Sequence, residues 1–324
     1  MDLRAPGQKV FVTGAAGFIG SNLVDRLLSL GISVVGYDDL STGQEDFLQA
    51  ALKNPGFSLV RGDILDLVML KKSMAGCQLV IHLAANADIR RGLEDPHRDL
   101  EQNTLGTFNV LEAARATQVP NFAFSSTGSV YGEPEVFPTP ENAPFPVQTS
   151  LYAASKLAGE GLIQAYATGY GIKAFVFRFV SILGERYTHG HVFDFYKKLR
   201  SDPTRLEVLG DGKQRKSYLY VQDCLDAMLL AFEKAENNVN IFNLGSDETC
   251  EVADSIAWIC GHLGLKPQLA YSGGKRGWIG DSPMIHLDCS RIRALGWAPK
   301  LTIRQAVLRT VDFLKERPGL LDKR

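Results

Sequence analysis

The sequence predicts an α/β protein: a Rossmann-type doubly wound parallel sheet followed by a smaller mixed α/β substrate-binding domain. Three observations carry this. Short β-branched and aromatic runs alternate with amphipathic stretches of helical length over the first 178 residues. The first run opens directly into the glycine turn VTGAAGFIG and then a helical stretch. Beyond Phe179 the alternation loses its regularity. Strands that read as continuous apolar runs are those covered by helices on both faces, which is the habit of parallel sheets.

Taken in order, Lys9–Thr13 reads as the first strand and Ile19–Ser29 as the first helix. Val34–Tyr37, Ser58–Arg61, Leu79–Leu83, Asn121–Ser125 and Ala174–Phe179 repeat the strand pattern. Thr104–Ala116 and Tyr152–Thr168 are the amphipathic stretches between them. Later, His189–Arg200 and Gln222–Lys234 read as helices, and Arg205–Leu209, Ser217–Val221 and Asn240–Leu244 as strands. Val252–Leu263, a glycine-rich loop at Ser272–Gly280 and a terminal helix near Ile303–Arg317 follow. With 324 residues the chain exceeds the roughly 250–300 at which one core stops growing. A dinucleotide-binding domain over 1–178 and a second domain over 179–324 are expected, with about 217–245 packing back on the first.

Composition narrows the function. A net charge of −1 lacks the basic excess that nucleic acid or an anionic membrane would require. No apolar run reaches the roughly 18 residues of a membrane span. The N-terminal MDLRAPGQKV carries no apolar signal core, and the five cysteines never form CxxC. Free thiols in a reducing cytoplasm are expected, without a metal.

Gly14, Gly17 and Gly20 stand in GxxGxxG spacing between strand and helix. Such a turn brings backbone N–H groups and a helix N-terminus against a pyrophosphate. Asp38 lies 18 residues after Gly20 at the end of the second strand. A carboxylate there accepts from the adenosine ribose hydroxyls and repels a 2′-phosphate, so NAD is favoured over NADP. Asp63, in RGDILD, follows the third strand and can meet the adenine edge. In SLYAASKLAGE, Tyr152 and Lys156 are i and i+4 and share a helix face. A phenol of pKa about 10 becomes a base near neutrality only if the phenolate gains about 4 kcal/mol, which an ammonium and a nicotinamide cation can supply.

With TGAAGFIG, GDILD, HLAA, NTLGTFNVLEA, FSSTGSVYG, YAASK, FRFVSILG, GDGKQRKSYLYVQD and LDCSRIRALGW, the chain resembles the nucleotide-sugar epimerases and dehydratases of the extended short-chain dehydrogenase/reductase family over nearly its whole length. The resemblance implies Tyr152 as base, Lys156 on the nicotinamide ribose, and Thr127 steering the reacting hydroxyl. It implies a cofactor site of Gly14, Gly17, Phe18, Ile19, Gly20, Asp38, Asp63, Ile64, Ala84, Asn103, Ser125 and Phe179. Dehydratases of the family carry Asp-Glu after the threonine, decarboxylases a glutamate two residues on, and 3,5-epimerizing members a cysteine. Here Gly128 and Ser129 occupy the turn, and Glu133 lies too far along to substitute. A 4-keto sugar would then have only re-reduction open to it, which is epimerization at C4 with tightly held NAD.

For the substrate, the resemblance points to Ser181, His191, Arg215, Lys216, Tyr218, Arg276 and Ile285, with His189 and Leu209 nearby. Arginine suits bidentate recognition of a diphosphate. Lys216 stands where many relatives have Arg, and Ser181 where many have Asn. Ile285 falls at the gate for the sugar C2 substituent and leaves room for an acetamido group. UDP-glucose/UDP-galactose is the leading expectation. UDP-glucuronate, UDP-N-acetylhexosamine or another nucleotide sugar are the alternatives, and a plain reductase or a non-catalytic NAD-binding regulator the remoter ones. The family pairs the two amphipathic helices across a four-helix bundle, so a homodimer is expected.

Overall fold

The computed structural model describes residues 1–324 apart from Asp2, Arg4, Pro6, Pro146 and Arg324, and apart from the side chains of Arg90, Arg91 and Lys323. Its centre is a seven-stranded sheet. Lys9–Thr13 (β1), Ser33–Asp38 (β2), Phe57–Arg61 (β3), Leu79–His82 (β4), Asn121–Thr127 (β5) and Lys173–Phe179 (β6) are joined by the late strand Val239–Leu244. The order is Val239–Leu244, β6, β5, β4, β1, β2, β3. β1 pairs in parallel with both β2 and β4, so the winding reverses there. In open α/β sheets ligands bind beyond the carboxyl ends of the strands at that reversal. The register sets Thr13 between Tyr37 and His82, and His82 beside Phe124.

The chain divides into two compact units, one of residues 1–130, 150–178 and 228–242, the other of 131–149, 179–227 and 243–324. Residues 131–149 cluster with the second unit and 228–242 with the first. The late crossing has a plain cause: Val239–Leu244 is the edge strand of the large sheet, and Ala174 N donates to Asn238 O at 2.8 Å to seat it.

In the first unit, Phe11, Val35, Tyr37, Val80, Val110, Leu111, Phe122 and Phe124 form part of one buried apolar cluster. The helix Phe18–Ser29 buries Phe18, Leu23, Val24 and Leu27, the stripe its sequence spacing predicts. The stretch expected as a helix from Thr104 is α-helical only over Gly106–Ala116, and Asp99–Leu105 before it is a π-helical turn. The second long helix spans Leu151–Tyr170. Ser150 caps it, its Oγ accepting from Ala153 N at 3.1 Å, and Gly171 ends it at φ 70°. Under this helix lies a buried ion pair. Arg178 on β6 donates to both carboxylate oxygens of Glu160, and Ser126 Oγ also donates to Oε1, at 2.5 Å.

The second unit is built from short pieces. Ser181–Leu183 pairs with Tyr218–Tyr220, and Arg215–Lys216 lies between Cys250–Glu251 and Met284–Ile285. The helix expected from His189 starts at His191, because Gly190, at φ 101°, turns the chain into it. All five cysteines are free and buried, and burial pushes the Cys77 thiol up to about 11.

Breaking a buried pair strands a charge in the interior, whereas removing both partners does not. Arg178→Met should therefore cost about 3–5 kcal/mol of unfolding free energy in urea titrations, and Arg178→Met/Glu160→Leu distinctly less. A double variant as unstable as the single one would contradict this.

Candidate active site

The glycine turn after β1 is packed to its limit. Gly14 has φ +68°, and a Cβ on it would stand 2.8 Å from Ala84 N, at the end of β4. A Cβ on Gly20 would lie 2.0 Å from Gly14 O. Glycine at both is therefore a steric requirement. Gly17 caps the helix Phe18–Ser29 with no side-chain hydrogen bond, and no acid sits in its first turn. The N-terminal N–H groups stay available to an anion, and their dipole favours one. Phe18 and Gly20 are buried in this helix, while Gly17 and Ile19 are half-buried.

Asp38 closes β2 beside this turn. Its Oδ2 accepts from Ala16 N at 2.9 Å and its Oδ1 from Leu40 N at 2.8 Å. Burial raises its carboxyl above the ordinary range, against the pull of those two bonds. Asp63 is exposed, and its Oδ1 accepts from Leu65 N at 2.9 Å, which caps the turn after β3. Ile64 is buried against Gly106, where a Cβ would stand 2.4 Å from Ile64 Cδ1. The close glycine turn, the open helix end and the buried Asp38 fit a dinucleotide with an unphosphorylated 2′-hydroxyl.

A continuous line of buried hydrogen bonds runs from β1 to the helix Leu151–Tyr170. Thr13 Oγ1 accepts from Leu83 N and Ala84 N, so its own hydrogen goes to His82 Nδ1, 2.7 Å away. Thr107 Oγ1 donates to Asn103 O at 2.6 Å and so takes its bond from His82 Nε2–H at 3.0 Å. His82 is therefore the Nε2–H tautomer, and burial followed by the charge of Lys156 lowers its pKa to about 3. Asn103 Oδ1 accepts from Asn86 N, and Asn103 Nδ2 lies 3.0 Å from Ser155 Oγ. Ser155 Oγ in turn donates to Tyr152 O at 2.8 Å.

The reactive groups stand above this line. Lys156 is buried, donates to Ser125 O at 2.9 Å, and lies 4.5 Å from the centre of the Phe124 ring. Tyr152 is hydrogen-bonded to Thr127. Thr127 Oγ1 also accepts from Ser129 N at 3.1 Å, so the turn at Gly128 and Ser129 holds the hydroxyl in place. The charge balance differs from the expectation drawn from Tyr152 and Lys156 alone. Burial pushes the Tyr152 phenol up to about 12, the Asp99 charge adds to that, and only the Thr127 bond works against it. Burial brings Lys156 down to about 7, against the pull of Asp99 and Glu160. Desolvation outweighs the i, i+4 ammonium here, and lowering the phenol needs further positive charge.

In the second unit, most of the remaining residues come together. Ser181 opposes Tyr218 and Lys216 opposes Ile285 in the strand pairings, and the His191 and Tyr218 rings lie 4.6 Å apart. His191 Nε2 is 2.9 Å from Ser255 Oγ, and burial lowers its pKa to about 3. Asp281 and Trp278 were not anticipated. The buried Asp281 holds Lys216 Nζ at 2.5 Å, and Trp278 covers the ammonium at 5.1 Å. Arg276 donates to Asp281 O at 2.9 Å and pairs with Glu133. Arg215 turns instead to Glu251, at 2.8 Å. Phe179 is buried at the end of β6. Among the described residues no cluster of three or more acidic, His or Cys side chains could hold a metal, and no helix is long and apolar enough to cross a membrane.

A lysine whose pKa falls from 10.5 to about 7 on folding binds fewer protons in the folded state between those values. Its destabilising charge is fully present below pH 7 and is relieved as pH rises. The melting temperature of the wild type relative to Lys156→Met should therefore climb between about pH 7 and pH 10 in calorimetry. A flat difference would mean that Lys156 is not buried as a titrating group.

The sequence pattern of the NAD dependent epimerase/dehydratase family matches residues 10–245. The UDP-glucose 4-epimerase of Mycolicibacterium smegmatis is 34% identical over 95% of this chain and 99% of its own length. A crystal structure of UDP-galactose 4-epimerase is 37% identical, with a TM-score of 0.85, over 95% of this chain and 99% of that one. UDP-glucuronic acid 4-epimerase from Bacillus cereus, in complex with UDP-glucuronic acid and NAD, is 27% identical with a TM-score of 0.88, over 95% and 99%. This chain belongs to the NAD dependent epimerase/dehydratase family.

Proposed function

We propose that the protein inverts the C4 hydroxyl configuration of a UDP-hexose with bound NAD, most simply interconverting UDP-glucose and UDP-galactose. The observation that carries this is the turn after β5. Thr127 meets Tyr152, and the two residues that follow, Gly128 and Ser129, bear no carboxylate. NAD, held by the glycine turn and Asp38, would supply reversible hydride chemistry at C4. Tyr152 takes the proton of the C4 hydroxyl, and Thr127 orients that hydroxyl toward the phenol. Lys156, fixed on Ser125 O, holds the ribose next to the nicotinamide. No acid or base stands ready for C5, so the 4-keto sugar is reduced again, on its other face. Glu133 offers no substitute, since it lies four residues beyond Ser129 and past Gly132.

In the substrate grip, Arg276 carries the diphosphate. Its contact with Glu133 is exposed, and such pairs contribute only about 0–1 kcal/mol, so a diphosphate can displace it. Lys216 is committed to Asp281 and Trp278 and serves to hold the loop that bears Arg276. Ser181, His191 and Tyr218 flank the nucleotide, and Ile285 leaves room beside C2. The likeness to the Bacillus cereus enzyme supports a second reading in which C6 is a carboxylate. A cytoplasmic homodimer fits the same chain. Leu105 and Phe108 are 46% and 40% exposed by the helix Gly106–Ala116, and Leu151 and Tyr170 are 42% and 58% exposed on the helix Leu151–Tyr170.

Product analysis on a panel of UDP-, GDP-, CDP- and dTDP-sugars, with the cofactor tracked through turnover, tests this reading. Interconversion of a C4 epimer pair with NAD retained is expected; release of NADH with net oxidation would replace it by a dehydrogenase. Tyr152→Phe should lose at least about 10²–10⁴-fold in kcat while keeping NAD, the usual weight of an acid–base group. For assembly, Phe108→Glu should move the protein from dimer to monomer in sedimentation, and a wild type that sediments as a monomer would remove the homodimer.

A further inference from the structure

The π-helical turn Asp99–Leu105 departs from α-helical geometry where it presents Asp99 and Asn103. Such segments are rare and concentrate at functional sites. Asp99 is buried, and its Oδ1 accepts from Asn86 Nδ2 at 2.7 Å and lies 3.2 Å from Asn103 Nδ2. Its Oδ2 is buried with no hydrogen-bond partner among the described residues. A buried carboxylate with an unmade bond is costly, and asparagine would fill the same space and accept the same two bonds. What asparagine lacks is the charge.

We propose that Asp99 is a positioning residue for the Tyr152–Lys156 pair, holding Asn86 and Asn103 in place and supplying the negative charge that both reactive side chains face. The charged and titratable groups that face it are Tyr152 and Lys156 on the helix Leu151–Tyr170 and the adjacent Arg98, while Glu160, one turn beyond, and His82 on β4 face Lys156. Asp99 opposes the Tyr152 phenolate and favours the Lys156 ammonium, so it adds to the effect of burial on the phenol and works against it on the lysine. This inference rests on the proposed roles of Tyr152 and Lys156.

The test is the pH profile of kcat in Asp99→Asn, measured with whichever sugar of the panel turns over fastest. Loss of the charge should move both limbs to lower pH by about one unit or more, one unit being the size of a single charge acting across roughly 12 Å at an effective dielectric near 20. KM should stay within about twofold, and the variant should melt within a few degrees of the wild type. An unshifted profile, or a variant that fails to fold, overturns the role of Asp99. Gly92→Ala probes position without removing charge, because its Cβ would stand 2.0 Å from Asp99 Oδ2. It should lower kcat with the profile unshifted, and an unchanged kcat would remove the positioning role. Failure of the catalytic reading itself shows separately, as full activity in Tyr152→Phe.

Discussion

One hydrogen on the Thr13 hydroxyl determines the state of the whole polar line beneath the catalytic helix. Two backbone N–H groups at the end of β4 already occupy the oxygen, so the hydrogen has a single destination, His82 Nδ1. That choice fixes the imidazole tautomer, which fixes the direction of the Thr107 hydroxyl and thereby seats Asn103 and Ser155. Each member has its donors and acceptors assigned by its neighbour, which is how a buried polar network becomes rigid rather than costly. The line starts on the strand that carries the glycine turn and ends on the backbone of Tyr152. The glycine turn and Tyr152 are thus registered to each other through protein atoms alone.

Rigidity of this kind has an electrostatic counterpart. The site removes water from a phenol and an ammonium at once, and desolvation opposes the charged form of each. Around them the protein places more negative than positive charge, with Asp99 and Glu160 facing Lys156. Glu160 is in turn neutralised by Arg178 on β6, while Asp99 keeps one carboxylate oxygen without a hydrogen bond among the described residues. The site is therefore a place of stored basicity: a phenol that is inert alone and responsive to added positive charge.

The glycine turn, Asp38, Tyr152 and Lys156 were legible in the sequence because each depends on spacing within one strand–turn–helix or one helical turn. The strand segments and the parallel sheet followed from the period of the apolar runs. Asp99 was not legible, since its partner Asn86 lies 13 residues away and Ser155, at the far side of Asn103, belongs to another helix. The π turn leaves no mark in the hydrophobic pattern either, which reads as a helix only from Thr104 onward. Lys216 could be identified as a cation from its motif, but its partner Asp281 is 65 residues on, and only the fold brings them together. The raised pKa of Tyr152 shows the same limit. Neighbouring charge can be read from i, i+4 spacing, whereas burial cannot.

The edge strand Val239–Leu244 reaches the large sheet only after the chain has left to build much of the second unit. Loop closure over such a separation is slow, because its entropy is lost before the pairing returns anything. On the ribosome, β6 must wait with one edge open while some sixty further residues emerge from the tunnel. Phe175 and Phe177, which the completed fold packs against Phe232, are held over that interval without their aromatic partner. Synthesis thus passes through a stage with an open strand edge and exposed aromatic rings, an aggregation hazard that follows from the chain order rather than from the stability of the fold.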